Sequence, residues 1–231
     1  MTAHLSPEQL DALARLDTTM VVNAIDTFGV RLKNQGYCDG TIRCYTPGLS
    51  PMVGYAVTGR IRCAVPPTVG RSFHERTDWW EHIVQQPAPH VVVVQDVDAR
   101  PGLGAFVGEL HANILRALRC TGIVTNGAVR GARGSQAVGF HLFAASFCVS
   151  SGFAHLLSFG GPVEVGDLTI NEGDLLHGDS YGVTSIPPEI AAEIPARAEQ
   201  VAAQRRALIQ FCQSPDFSLS ELRSRVKDVG T

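Results

Sequence analysis

Several features that would identify a partner are missing from this chain of 231 residues. No run of about 18 apolar residues occurs, so we expect no transmembrane helix. The opening stretch, MTAHLSPEQLDALARL, has neither a basic nor an apolar segment, which argues against a secretory signal. The formal net charge is −3 and the pI is about 6.2, without the basic stripe typical of nucleic-acid binding. We therefore expect neither a membrane nor a nucleic acid as partner.

The cysteines show no pairing pattern, and the histidines show no metal-ligand spacing. No CxxC pair occurs, and a chain of this length can bury enough apolar surface to fold without disulfides. Neither HxH nor HExxH is present, so the sequence contains no ready zinc motif. We interpret the six cysteines as reduced thiols in a cytoplasmic protein, namely Cys38, Cys44, Cys63, Cys120, Cys148 and Cys212.

The hydrophobic pattern predicts a mixed α/β chain. The near-continuous apolar run VVVVQDV at 91–97 is typical of a strand buried on both faces. Further strands are predicted at 53–63, 122–125, 138–143, 145–150, 162–165, 168–170 and 182–186. Helices are predicted at 6–16, 18–29, 77–86, 105–119, 188–212 and 218–227.

These elements predict one domain over residues 1–231. Residues from about 1 to 50 hold two helices and a glycine-containing loop, and residues from about 51 to 186 form the α/β core. Residues from about 187 to 231 form a C-terminal helical arm. No internal repeat or linker divides the chain.

The stretch GAFVGELHANILRALRCTGIVTNGAVR, residues 104–130, is the most informative part of the sequence. It places Glu109 at the start of a helix and Arg130 at the end of the following strand. Both loops can open onto one crevice, where the planar guanidinium suits a small carboxylate. Two other interpretations stay open: Glu109 as a favourable partner of its helix dipole, and Arg130 as part of an internal salt bridge.

The glycines from Gly102 to Gly108 do not fit a dinucleotide fingerprint. The third glycine comes one position late, and Thr125 and Asn126 stand where an acid should bind the ribose. We therefore expect no nucleotide cofactor. The free backbone N–H groups of such a helix start can instead hold a carboxylate or a phosphate.

The segment GELHANILRALRCTGIVTNGAVRG resembles the central motif of the RraA-like proteins, which include 4-hydroxy-4-methyl-2-oxoglutarate aldolases. The resemblance covers nearly the whole chain. VVNAIDTFG resembles the family's N-terminal helix motif, VGYAVTGRIRC its first strand, and VVVVQDV the strand before the glycine loop. NEGDLLHGDSYGVTSIP resembles a later family segment of glycine, aspartate and a terminal proline.

The resemblance implies an αββα sandwich of the swivelling-domain kind, assembled as a homotrimer or hexamer with the site between subunits. It implies Arg130 as a catalytic residue that also binds the substrate, and Glu109 as a catalytic acid–base group. The backbone of Gly108, Glu109 and Leu110 would bind the substrate, with Asn126 as a further candidate contact. It also implies a divalent metal, Mg²⁺ or Mn²⁺, which Glu109 would contact through water.

One departure from the family motif bears on the metal. The aldolases read D-G-x-V-R-D, whereas this chain reads N-G-A-V-R-G, with Gly131 in place of the acid that ligates the metal. A hard cation prefers charged oxygen ligands, and glycine has no side chain. Arg205 and Arg206 fall where a further acid is expected on a neighbouring subunit's helix, and their charges favour an anion.

Two hypotheses follow from this departure. The first is a carbon–carbon lyase, retro-aldol or decarboxylating, such as an oxaloacetate decarboxylase. It would act on a small 2-oxo or hydroxy dicarboxylic acid with altered or lost metal dependence. The second is a non-catalytic anion-binding or protein-binding regulator, because the RraA regulators also lack the acid after the arginine.

Overall fold

Three long parallel strands form the centre of the main sheet. In the computed structural model, which describes residues 4–68 and 76–227, β2 (Met52–Arg62), β3 (His90–Asp96) and β5 (Cys120–Val129) pair side by side. The four valines at 91–94 are fully buried. Strand β3 has a parallel neighbour on each side and apolar cover on each face, as its unbroken apolar run predicts.

The other strands complete a nine-stranded sheet and a small hairpin among the described residues. They are β1 (Arg43–Cys44), β4 (Ala105–Val107), β6 (His141–Phe147), β7 (His155–Phe159), β8 (Val163–Val165), β9 (Leu168–Ile170), β10 (Leu175–Asp179) and β11 (Gly182–Ile186). The sheet order is β1-β6-β5-β3-β2-β10-β11, with β4 paired to β5 and β7 to β2. Strands β8 and β9 form the hairpin. The mixed α/β architecture predicted from the sequence is confirmed.

Seven helices accompany these strands in the described part of the chain. They are α1 (Pro7–Ala14), α2 (Thr18–Asp26), α3 (Thr77–Gln85), α4 (Glu109–Ala117), α5 (Ala132–Ala137), α6 (Ile194–Cys212) and α7 (Leu219–Arg225). Ser6 forms a capping box with Gln9 at the start of α1, and Ser218 caps α7. The N-cap of α3 is Arg76, whose side chain makes no capping hydrogen bond. None of these helices combines the length and apolar character needed to cross a membrane.

Three apolar clusters hold the layers together. Trp79 and Ile83 of α3 and Leu115 of α4 pack on one face of the sheet. The hairpin β8–β9 covers the other face. Helices α1, α2 and α6 form the third cluster beside β2, β10 and β11. Burial of this apolar surface is the main favourable term in folding, at roughly 25 cal/mol per Å² removed from water.

The region around residues 105–119 differs from the predicted single helix. Residues Ala105–Val107 form β4, Gly108 is the N-cap, and α4 begins only at Glu109. The Ala-Phe-Val segment extends because it pairs with the end of β5, a long-range contact that outweighs helix propensity. The following strand is longer than predicted, and α5 separates it from the next strand.

The observed elements differ from the predicted ones in other places as well. The two predicted strands at 138–143 and 145–150 are one strand, β6, which pairs with β5 throughout. Strands β1, β7 and β10 and helix α5 were not predicted, because short glycine-rich segments carry little periodic signal. The predicted helix at 188–212 begins only at Ile194, after a series of turns that starts at Pro188.

Helix α6 packs on α2, and most of its second half is exposed. Arg205 donates from Nη2 to Oδ1 of Asn23 in α2, at 3.0 Å. Within one chain this arginine therefore contacts α2, and Arg206 is exposed.

A buried histidine should make stability depend on pH. His141 begins β6 and is 6% exposed, and burial lowers the pKa of its imidazole from 6.5 to about 4, with the charge of Arg116 adding to the effect. The unfolded chain takes up this proton first, so the contribution is complete above pH 6.5 and is lost as the pH falls toward 4. Such a shift corresponds to about 3 kcal/mol.

We therefore expect His141→Gln to flatten the fall in unfolding free energy between pH 6.5 and 4, measured by urea denaturation. His90 and His177, whose pKa values burial also lowers, are present in both proteins and cancel in the comparison. Parallel pH profiles for the two proteins would contradict this account.

Candidate functional site

Strand pairing brings the two predicted site loops together. Strand β4 lies parallel to the end of β5, with Ala105 opposite Ala128 and Val107 opposite Val129. The backbone N–H of Arg130 donates to the Val107 carbonyl oxygen at 2.9 Å. Because β4 leads directly into α4, the start of that helix lies beside the residue that follows β5. The structure therefore places the two loops side by side, and the crevice between them stays a prediction.

The side chain of Arg130 lies across Gly108. A Cβ added to Gly108 would sit 3.2 Å from both Cγ and Nε of Arg130, so a larger residue there would press on the arginine. Its Nη1 donates to the Val149 carbonyl oxygen at 3.2 Å. In the described chain no carboxylate lies within 4.0 Å of this exposed guanidinium. Its remaining donors are therefore available to an external anion.

The Glu109 side chain lies against α5. A Cβ added to Gly134 would lie 2.3 Å from Cδ and 2.6 Å from Oε2 of Glu109, so the carboxylate occupies the space above that glycine. No ion pair joins Glu109 to Arg130, and the internal salt bridge of Arg130 that the sequence left open is not found in the described residues. Glu109 does stand in the first turn of α4, where a negative charge is favourable.

Gly131 has a conformation that disfavours other residues. Its φ is +65°, in the left-handed region, and it is the N-cap of α5. A Cβ added there would lie 2.8 Å from the backbone nitrogen of Glu109. Backbone atoms cannot swing aside as a flexible side chain can. In this chain, position 131 is therefore fitted to glycine by both torsion and space.

Asn126 is engaged by the backbone of the neighbouring strand. Its Oδ1 accepts from the Asp96 N–H at 2.7 Å, and its Nδ2 donates to the Asp96 carbonyl at 3.0 Å. The amide thus ties the end of β3 to β5. Its predicted contact with substrate remains a prediction, and any such contact would have to share an amide already held at both ends.

Asp96 is a buried carboxylate that sequence reasoning did not single out. Its Oδ2 accepts from the Gly102 N–H at 2.8 Å, and its Oδ1 accepts from the Asp98 N–H at 3.1 Å. Burial raises the pKa of this group. Asp96 therefore orders the loop that leads from β3 to β4. The available signal was an acid at the end of a mostly apolar strand, six residues before Gly102.

Asp98 fixes the same loop to the end of β2. Its Oδ2 accepts from the N–H groups of Cys63 and Ala64 at 2.6 and 2.7 Å, and its Oδ1 pairs with Arg62 at 3.1 Å. The loop before the candidate site is thus fixed to the end of the adjacent strand.

Two glycines of the predicted glycine loop serve chain geometry. Gly102 has φ +88°, and a Cβ at Gly104 would lie 2.3 Å from the Ser151 carbonyl oxygen. These close approaches explain the glycines without a dinucleotide. Leu110, whose backbone is a predicted substrate contact, follows Glu109 in the first turn of α4, where backbone N–H groups lack helical partners.

The donor set of the described residues does not fit a divalent metal. No cluster of three or more histidine, cysteine, aspartate or glutamate side chains is placed to hold an ion in residues 4–68 and 76–227. Position 131 offers no oxygen, and Glu109 is a single carboxylate. His177, a buried histidine, contacts the Thr18 hydroxyl at 3.0 Å and the Leu13 carbonyl at 3.2 Å, which is a structural role.

Exposed apolar residues, called here the apolar rim, lie next to the site. Leu110 is 66% exposed and Val149 is 95% exposed, and both adjoin the site residues Glu109 and Arg130. Phe147, at the end of β6, is also largely exposed. Contiguous exposed apolar groups commonly mark contact surfaces.

Proteins of known structure share this fold. An uncharacterized protein from Pseudomonas syringae pv. tomato matches with a TM-score of 0.73 and 24% identity, over 97% of this chain and 96% of the other. RraAS2 of Streptomyces coelicolor, described as an unusual member of the RNase ES inhibitor RraA family, matches with a TM-score of 0.67 and 18% identity, over 88% and 96%. These likenesses establish a common fold.

Sequence comparison adds the family. A Halalkalibacterium halodurans protein, provisionally named 4-hydroxy-4-methyl-2-oxoglutarate aldolase, is 29% identical over 104 residues. That alignment covers 45% of this chain and half the length of the relative. The family profile of the RraA-like proteins, described as Aldolase/RraA, matches residues 18–184. The chain therefore belongs to the RraA-like family.

Proposed function

We propose that this protein is a carbon–carbon lyase for a small 2-oxo or hydroxy dicarboxylic acid, working without the family's usual metal ligand. One observation carries the proposal: the Arg130 guanidinium has no carboxylate partner in the described chain and lies against Gly108, beside the start of α4. Such an arrangement suits a carboxylate that bonds to the arginine and to backbone N–H groups together.

The chain's own groups can divide the work of a retro-aldol step. Arg130 binds the substrate carboxylate, and the N–H groups of Glu109 and Leu110 face the oxygen that gains negative charge. The Glu109 carboxylate accepts the proton of the substrate hydroxyl as the carbon–carbon bond breaks. The bonding electrons pass to the 2-oxo group as an enolate, which takes up a proton to give the 2-oxo acid. In a decarboxylation, carbon dioxide leaves instead of a carbonyl compound.

The decisive assay measures release of pyruvate from 4-hydroxy-2-oxo acids and loss of carbon dioxide from oxaloacetate. It is run once with EDTA and once with Mn²⁺. We expect turnover that survives EDTA, because position 131 provides no metal ligand. Absence of turnover under both conditions would overturn the lyase proposal.

A second candidate function, a non-catalytic regulator that binds an anion or a protein, is favoured by the apolar rim. Val149 is 95% exposed and Leu110 is 66% exposed. A site for a small polar substrate does not require so much exposed apolar surface beside it. If oxalate binds to the protein but no acid is turned over, this second function is preferred.

Replacement of Arg130 tests the anion site directly. Arg130→Lys keeps the charge but loses the planar fork, so we expect oxalate affinity to fall roughly tenfold to a hundredfold by calorimetry. Arg43→Lys, at an exposed arginine of β1, is the matched control and should bind as the unaltered protein does. Equal affinities for all three proteins would place the anion elsewhere.

Gly131→Asp tests whether the metal site can be restored. Because position 131 has φ +65° and little space beside the Glu109 nitrogen, we expect a loss of unfolding free energy of about 1–3 kcal/mol and no gain in Mn²⁺ affinity. Gly131→Ala, with the same added Cβ, should show the same loss in urea denaturation. Tight Mn²⁺ binding by the aspartate variant alone would show that the site is a decayed metal centre.

A further inference from the structure

Two glycines of α5 face the side chain and backbone of Glu109. Gly131 and Gly134 are three positions apart at the start of α5, a spacing that places residues on one helix face. The atom nearest to an added Cβ is the Glu109 nitrogen at Gly131, 2.8 Å away, and Glu109 Cδ at Gly134, 2.3 Å away. Together they form a slot, meaning here the side-chain-free surface of Gly131 and Gly134.

The backbone does not require glycine at position 134. Gly134 is helical, and its φ is not in the positive region that other residues avoid. The three atoms nearest to an added Cβ all belong to the Glu109 side chain. Since alanine is the better helix former, glycine at this position gains nothing for the helix itself. What its missing side chain provides is room for the Glu109 carboxylate.

No polar contact competes with this steric placement. In residues 4–68 and 76–227, the Glu109 carboxylate has no ion-pair partner within 4.0 Å. Its backbone carbonyl accepts from Asn113 Nδ2 at 2.9 Å, which fixes the main chain and leaves the carboxylate unheld. The position of the carboxylate is therefore set by space above α5.

We propose that Gly134 is a positioning residue that seats the Glu109 carboxylate on the α5 side of the site. In that position the Glu109 carboxylate covers the first turn of α5. A side chain at position 131 would begin at the same place. Gly134 thus keeps the site's Glu109 carboxylate against α5, next to the position where the family motif carries a second acid after the arginine. This inference rests on the proposed lyase function and assigns the placement of its acid–base group.

Gly134→Ala is the primary test. An alanine Cβ displaces only the end of a flexible side chain, so we expect an unchanged or higher melting temperature. Turnover should nevertheless fall about tenfold to a hundredfold in kcat, with KM nearly constant, because a displaced acid–base group affects the reaction more than binding. Gly40→Ala is the control, since an added Cβ there meets nothing within 4 Å, and it should change neither quantity.

A double-mutant cycle separates positioning from general structure. In the Glu109→Gln background, Gly134→Ala should cause no further loss of kcat, because the group that it displaces no longer acts as a base. An equal loss in both backgrounds, or no loss in either, would overturn the assignment of Gly134 while leaving the lyase function standing. Absence of turnover in the unaltered protein would instead reject the lyase function and the acid–base role together.

A measurement that does not depend on turnover tests the placement of the Glu109 carboxylate. In protein labelled with ¹³C-glutamate, the Glu109 carboxyl resonance, assigned by its absence in Glu109→Gln, should shift in Gly134→Ala. It should not shift in Gly40→Ala. An unmoved resonance in Gly134→Ala would overturn the proposed slot whatever the activity.

Discussion

The parallel pairing of β4 with the end of β5 is the constraint on which the site depends. Three residues of β4 are enough to bring the start of α4 beside Arg130, because the Arg130 N–H continues the ladder to the Val107 carbonyl. The loop before β4 is fixed in turn by Asp96 and Asp98, whose carboxylates accept backbone N–H groups. Buried carboxylates with such partners hold loops in one geometry.

Three glycines then determine where the Arg130 and Glu109 side chains can lie in the space between these elements. Gly108 allows Arg130 to lie flat, Gly134 leaves room for Glu109, and Gly131 permits a left-handed turn against the Glu109 nitrogen. A side chain at any of the three would move one of the two charged groups or the backbone.

Sequence patterns predicted the elements that are long or strongly periodic. The valine-rich β3 and the helical part of α4 follow from local rules and were found. Strand β4 was predicted as helix because Ala-Phe-Val has no local signal against one, and only its partner β5 makes it extended. Short β1, β7 and β10 depend on distant partners in the same way.

For this protein, the sequence alone determined the α/β class, the RraA-like family and the identities of the charged groups, Glu109 and Arg130. The tertiary structure decided that these two groups do not pair and that the Asn126 amide is bound to the Asp96 backbone. It also decided that Gly134 lies under Glu109. The physical reason is that residue chemistry is local, whereas free space and hydrogen-bond partners depend on strands and helices far apart in the chain.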